Sequence, residues 1–246
     1  MSAISDQFEA AIAQAINSYT GMVAVRPSAD TRLSDVAITH FKGKLLPKRV
    51  WVEVKMSHAD NLSNPRVFYK GGRWGTTYKT PTAQVGVDLL NSSEDTKKFI
   101  RDLARFSGIP VNSIQVPTSK SGLKEPGAVP LSVMKAFFDQ PGVNRYIAKK
   151  SHFDIGKLVI EHYTLGKAEP AHYLQAGDDF YMISSANPLK LIKGIPLLAG
   201  TGDFKVRVST RSEFYEVQAE IKIAHFTPPT SPFSVKSGTT KKNPFL

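Results

Sequence analysis

The segment VWVEVKM, Val50 to Met56, constrains the fold more tightly than any other stretch of the chain. Val52, Val54 and Met56 alternate with Glu53 and Lys55 at a period of two, which is the side-chain repeat of a strand and not that of a helix. A second β-type run, Val36 to Phe41, precedes it, and the turn formers Lys42, Gly43, Lys44 and Pro47 stand between the two. The pair reads as a hairpin over 35–56. With its centre near Leu45, partner numbers sum to about 90, which sets Ile38 against Val52 and Asp35 against Lys55. Glu53 and Lys55 share a face of their strand, and Asp35 joins them from across the ladder.

Other segments alternate between helical and extended patterns, which predicts an α/β fold. Residues 4–18 read as a helix with Ser5 as N-cap and Phe8, Ile12 and Ile16 as the buried stripe. Glu9 interrupts that stripe, so its carboxylate sits on or beside the core-facing side. A short β-type run covers Met22 to Val25. Helices are expected over Ser93 to Phe106, with Gly108 just past the end, around Leu131 to Phe138, and around Phe153 to Tyr163. A strand at Phe180 to Ile183 precedes a short helical candidate, Pro188 to Lys193. A C-terminal hairpin follows, Phe204 to Ser209 and Tyr215 to Ile223. There Val206 and Val208 oppose Lys205 and Arg207, and Val217, Ala219, Ile221 and Ile223 continue the apolar face. The expected layout is one domain over 1–226 and a flexible tail, rich in Pro, Ser, Thr and Lys, over 227–246.

Composition narrows the function. The chain of 246 residues carries a net charge of +11 and a pI near 9.7, a field that attracts polyanions, nucleic acid foremost. It has no cysteine, which excludes disulfides, thiolate nucleophiles and zinc–thiolate sites. No apolar run approaches the roughly 20 residues that cross a bilayer, and Met1 to Phe8 has neither the basic start nor the apolar stretch of a signal peptide. A cytoplasmic protein without a membrane partner is the expectation. The histidines show no metal-ligand spacing, and the Gly71-Gly72 pair lacks the Gly-Lys-Ser/Thr that would make a phosphate loop.

Two carboxylates and an ammonium held together on rigid strands suit phosphodiester hydrolysis. Asp35 and Glu53 would hold Mg²⁺, with Mn²⁺ an alternative, because hard oxygen donors suit such cations and the metal then acts as Lewis acid and source of hydroxide. Lys55 would orient the attacking water or stabilise charge developing at phosphorus. Glu9 is a candidate further ligand or supporting base. The plain alternative is a solvated Glu-x-Lys ion pair, common on exposed strands and energetically minor.

Candidate contacts to double-stranded DNA follow directly. The 57–80 stretch loses hydrophobic periodicity and reads as a loop. It interleaves Arg66, Lys70, Arg73 and Lys79 with Tyr69 and Trp74, and carries Asn61 and Asn64 for adenine reading. Lys205, Arg207 and Arg211 form the basic face of the C-terminal hairpin, a ribbon that fits a major groove or is simply the polar outer face of a half-buried hairpin.

Asp35 followed by Glu53-Val54-Lys55 after a short hairpin resembles the PD-(D/E)XK nuclease superfamily, and within it the small type II restriction endonucleases that cut four-base palindromes. The segment FIRDLARFSGIP (Phe99 to Pro110), the Phe153 to Tyr163 helix and the terminal hairpin follow a similar order, so that the likeness spans most of residues 5–226. Ser34 stands where the motif has Pro. The resemblance implies a restriction-endonuclease-like mixed sheet flanked by helices, metal binding by Asp35 and Glu53, assistance to the nucleophile by Lys55, and a role for Glu9 as the helix acid of part of the superfamily. Sequence-specific Mg²⁺-dependent cleavage of duplex DNA is the expected function. A repair or junction-resolving nuclease and a non-catalytic basic DNA-binding protein are its alternatives, and monomer and homodimer both stay open.

Overall fold

The computed structural model describes residues 3–27, 33–165 and 168–246. Among these residues the chain forms two mixed or antiparallel sheets and five α-helices. Its first stretch holds α1 (Ala3–Asn17), β1 (Val23–Val25), β2 (Val36–Phe41), β3 (Lys44–Lys55) and β4 (Asn61–Ser63). Then come β5 (Arg66–Lys70), β6 (Arg73–Gly75), α2 (Pro81–Ser92), α3 (Glu94–Ser107), α4 (Leu131–Phe138) and β7 (Tyr146–Asp154). The remainder is α5 (Ile155–Leu165), β8 (Ala171–Ala176), β9 (Asp179–Met182), β10 (Thr201–Thr210) and β11 (Tyr215–Lys222). Where the sequence reads one domain over 1–226, the chain divides into two compact units. The first comprises Met1–Leu62, Asp154–Thr201 and Lys222–Leu246, and the second Ser63–Phe153 with Gly202–Ile221.

The first unit is built on a five-stranded sheet of order β1-β2-β3-β8-β9, in which β3 and β8 run parallel and the other pairs antiparallel. Val50, Val52 and Val54 enter one core with Ile12 and Ile16 of α1, as the two periodicities require. The hairpin register differs from the sequence expectation. Val36 pairs with Val52 and Ile38 with Val50, two residues away from the expected partners, and a bulge follows Ile38. The cause is the turn. Lys42 and Gly43 both take positive φ (52° and 77°), the two-residue turn that matches strand twist, so β3 starts at Lys44 and Pro47 lies inside the strand instead of in the turn. Ser5 is not the cap of α1 either: it lies within the first turn and its hydroxyl donates to Glu9 at 3.2 Å.

Residues 227–246, expected as a tail, pack against this unit and place several side chains in its interior. Phe233, Val235 and Phe245 are buried in the same core, Phe180 N–H donates to the Phe233 carbonyl at 2.9 Å, and Val235 N–H donates to the Gln175 side chain at 2.9 Å. The short helix expected over 188–193 is a turn, because the Asn187 side chain accepts from Leu191 N–H (3.1 Å) and draws the backbone out of helical pairing.

The second unit carries a sheet of order β6-β5-β11-β10-β7. Much of the expected 57–80 loop is strand here. Gly71 and Gly72, both at positive φ, close the β5–β6 hairpin in the way two adjacent glycines allow. One face of the sheet is apolar, with Val67, Trp74, Val206, Val208, Val217 and Ala219 all buried. α2 packs on it so closely that a Cβ at Gly86 would stand 2.6 Å from that of Ala219. α3 is capped as its sequence predicts, Ser93 accepting from Thr96 N–H and Gly108 turning left-handed at φ 70°.

Candidate active site

The ladder between β2 and β3 is paired as far as Val36 and Val52, and one residue earlier a side chain takes over from the backbone. Asp35 Oδ2 accepts from Val54 N–H at 2.8 Å, which pins the carboxylate against the end of β3. Glu53 and Lys55 leave the same face of that strand. Lys55 Nζ donates to Glu53 Oε1 at 2.5 Å and lies 3.7 Å from Asp35 Oδ2. The three side chains are shielded from water, at 4% exposure for Glu53, 17% for Asp35 and 18% for Lys55.

Shielding makes the charges interact strongly. Burial, and then the neighbouring Glu53 charge, push the Asp35 carboxyl up to about 7, against the pull of Lys55 and the Val54 hydrogen bond. Burial would depress the Lys55 ammonium, but Glu53 and Asp35 outweigh it and hold it above its ordinary range, so Lys55 is a cation here and a hydrogen-bond donor.

Glu9 is buried as the sequence implies, yet its carboxylate is already engaged. Arg26 Nη2 donates to it at 2.6 Å and also reaches Asp6 at 3.0 Å. Glu9 acts through space on two of the trio, raising both Asp35 and Lys55, while it accepts hydrogen bonds from Ser5 and Arg26.

Tyr163 is the member that sequence reasoning missed. It is fully buried, its hydroxyl donates to the Leu62 carbonyl at 2.9 Å, and it lies close enough to Glu53 to feel its charge. Burial and the two nearby carboxylates raise the phenol well above its ordinary range, so it stays protonated. The signal was present: Ile155, Val159 and Tyr163 follow one another at intervals of four and all are buried, and a tyrosine on such a stripe needs a partner for its O–H.

Ionising Asp35 as well as Glu53 is opposed by burial and by their mutual repulsion in a site that water reaches poorly. A divalent cation would relieve that repulsion, and the oxygen donors are of the kind Mg²⁺ takes, so the residues fit such an ion. Asp35 and Glu53 are the pair that would hold it, the remaining positions falling to water and substrate oxygens.

The expected DNA contacts sort by the strands that carry them. Cross-strand partners share a face, so Gln218 of β11 lies between Arg66 of β5 and Arg207 of β10, and Lys70 lies beside Arg73. Arg66 ion-pairs with Glu216 at 2.6 Å, Arg207 with Glu220 at 2.8 Å, Arg211 with Glu216 at 2.9 Å and Lys70 with Glu125 at 2.6 Å, while Lys205 is 3.6 Å from Asp203. Trp74 must be withdrawn as a contact: at 2% exposure it is a core residue on the apolar face, its ring 5.3 Å from that of Tyr69. Tyr69 shares that face and is half-buried. Asn64, Arg73 and Lys79 are exposed, and Asn61 is half-buried with its side-chain oxygen inside. No helix among the described residues is long and apolar enough to cross a membrane.

Comparison of the chain with protein-family models, with curated proteins and with solved structures returns no match.

Proposed function

We propose that this protein is a Mg²⁺-dependent endonuclease that hydrolyses phosphodiester bonds in duplex DNA at a defined sequence. The observation that carries the reading is the meeting of Asp35, Glu53 and Lys55 within hydrogen-bonding and ion-pairing distance, two carboxylates and an ammonium fixed at the end of one hairpin. Their placement on a mixed sheet with α1 packed on one face agrees with what the resemblance to PD-(D/E)XK nucleases implies. The charge of +11 supplies the attraction to a polyanion that a nuclease needs.

In this reading Asp35 and Glu53 hold the cation, Mn²⁺ being a substitute. When bound, that ion supplies Lewis acidity and an activated water. The Val54 amide holds Asp35 at the end of β3, and Tyr163 is a buried, protonated neighbour of Glu53. Lys55, cationic and carrying three N–H donors, orients the water and stabilises negative charge growing on the phosphate oxygens.

The test is direct. Purified protein is incubated with a long duplex of known sequence, with Mg²⁺ or EDTA, and the fragment ends are sequenced. Discrete Mg²⁺-dependent ends sharing a short palindrome support the reading, and their loss in Lys55→Ala assigns the chemistry to this site. Random ends would turn it toward a repair or junction-resolving nuclease, and intact DNA across several metals toward a non-catalytic DNA-binding protein.

A further inference from the structure

The polar face of the second unit's sheet contains an arrangement that bulk attraction to DNA does not require. Glu216 and Glu220 of β11 are buried, at 2% and 0% exposure, on the face opposite Val217, Ala219 and Ile221. A buried carboxylate on a strand is expensive unless paired, and pairing it rarely adds net stability. Glu216 is paired twice. Arg66 Nε lies 2.6 Å from its Oε1 as an ion pair, and its Oε2 accepts from Arg211 Nε at 3.0 Å, Arg211 Nη2 at 2.9 Å and Gln218 Nε2 at 3.0 Å. The two arginine side chains are nevertheless 45% and 50% exposed. Arg211 is therefore anchored through Nε and Nη2 and Arg66 through Nε, while both side chains keep much of their surface open to solvent.

Phosphate contacts need positive charge and tolerate loose geometry, and a buried acid among the arginines works against them by cancelling charge. Reading a base edge needs the opposite, a planar fork held at a fixed angle, which the paired Nε and Nη2 hydrogen bonds to Glu216 provide for Arg211 and the close Nε ion pair to the same carboxylate provides for Arg66. We propose that Glu216 is a positioning residue that locks Arg66 and Arg211 as a pair of guanine-reading forks, and that this face of β5, β11 and β10 is the surface that reads duplex sequence. The inference rests on the nuclease reading for its choice of DNA as partner, but not on catalysis. A cationic rim suits the same occupant: Arg66, Arg207 and Arg211 surround the buried acids, and Arg73 is exposed on the same face.

Binding selection separates the two ideas. Wild-type protein is mixed with duplexes carrying a randomised central segment, in Ca²⁺ so that binding is measured without relying on cleavage, and the bound fraction is sequenced. A short enriched motif containing guanine is expected. Arg66→Lys and Arg211→Lys keep the charge and a partner for Glu216 but lose the fork. Each should cut enrichment at one guanine position about tenfold or more while leaving the salt dependence of binding unchanged. Glu216→Gln should relax both positions at once, with melting curves confirming that the variants fold. Equal enrichment in the lysine variants, a uniform loss across all sequences, or no motif at all overturns the proposal. Enrichment without cleavage in Mg²⁺ would leave it standing and remove the nuclease reading alone.

Discussion

Val54 and Asp35 are joined by a hydrogen bond in which backbone holds a candidate catalytic side chain: the Val54 amide donates to Asp35 Oδ2 at 2.8 Å, beside the Glu53 and Lys55 side chains that flank Val54 in sequence. The acid thus does two things at once, closing the ladder where β2 begins and bringing the same oxygen within 3.7 Å of Lys55 Nζ. Those roles separate by substitution. Asp35→Asn keeps an acceptor for Val54 and should abolish Mg²⁺-dependent cleavage with little change in stability. Asp35→Ala also strands the amide and should lose about 1–3 kcal/mol in urea melts. Equal stability of the two variants would mean that the Val54 bond does not hold the strand end.

Removing Lys55 exposes the charge imbalance directly. In Lys55→Ala the buried Glu53 and Asp35 carboxylates face each other without their cation, a defect worth up to about 3–5 kcal/mol for a broken buried pair. Cleavage should vanish. The melting temperature should fall in EDTA and recover on adding Mg²⁺ or Ca²⁺, since a divalent ion replaces the lost charge. A fall that divalent ions leave untouched would argue that no metal is held between these acids.

The Asp35 carboxyl gives the metal-free protein a pH dependence of definite sign. Its folded value, pushed by burial and by Glu53 from near 3.8 up to about 7, lies above its unfolded value, so between those limits the folded state holds the extra proton. Stability from this group is full below about 4 and is lost as pH rises through about 7. Melting temperatures in EDTA should decline across that window and Mg²⁺ should offset the decline at its upper end. Asp35→Asn should flatten the profile. A slope that survives in Asp35→Asn would assign the titration to another group.

Elements with a single strong period were legible in the sequence. The buried face of α1, both ends of α3, the span of α4 and the alternation of β10 and β11 follow from side-chain repeat and caps alone. The site was legible for the same reason, because Glu53 and Lys55 must share a face of β3 whatever the register. The partner register was not, since Pro47 is as good a turn former on paper as Lys42-Gly43, and only a positive φ at both turn residues decides between them. α2 had a signal that was passed over: Thr80 as N-cap before Pro81 at the first helical position. β8 was missed because its residues are nearly all buried, which erases alternation. The buried acids of β11 were missed because alternation identifies a polar face without saying whether water reaches it.

Residues 227–246 show how composition misleads when a segment is rich in Pro, Ser and Lys yet places its few apolar residues inside. Phe233 and Phe245 are 4% and 8% exposed, and Ser231 donates to the Phe180 carbonyl at 2.6 Å. Gln175, fully buried on β8, both donates to Ser234 Oγ at 3.1 Å and accepts from Val235 N–H, so removing the segment leaves a buried amide without these partners. Phe233→Ala should cost about 3–5 kcal/mol, the range for deleting a buried phenylalanine ring. A chain ending at residue 226 should melt well below the full chain and expose apolar surface to a hydrophobic dye, because the loss combines two aromatic rings with several buried hydrogen bonds. Because β8 is the strand next to β3, its loosening should also lower cleavage by the shortened chain. Matching melting curves for the two chains would instead make the segment an accessory covering, and the core of the first unit would have to stand without it.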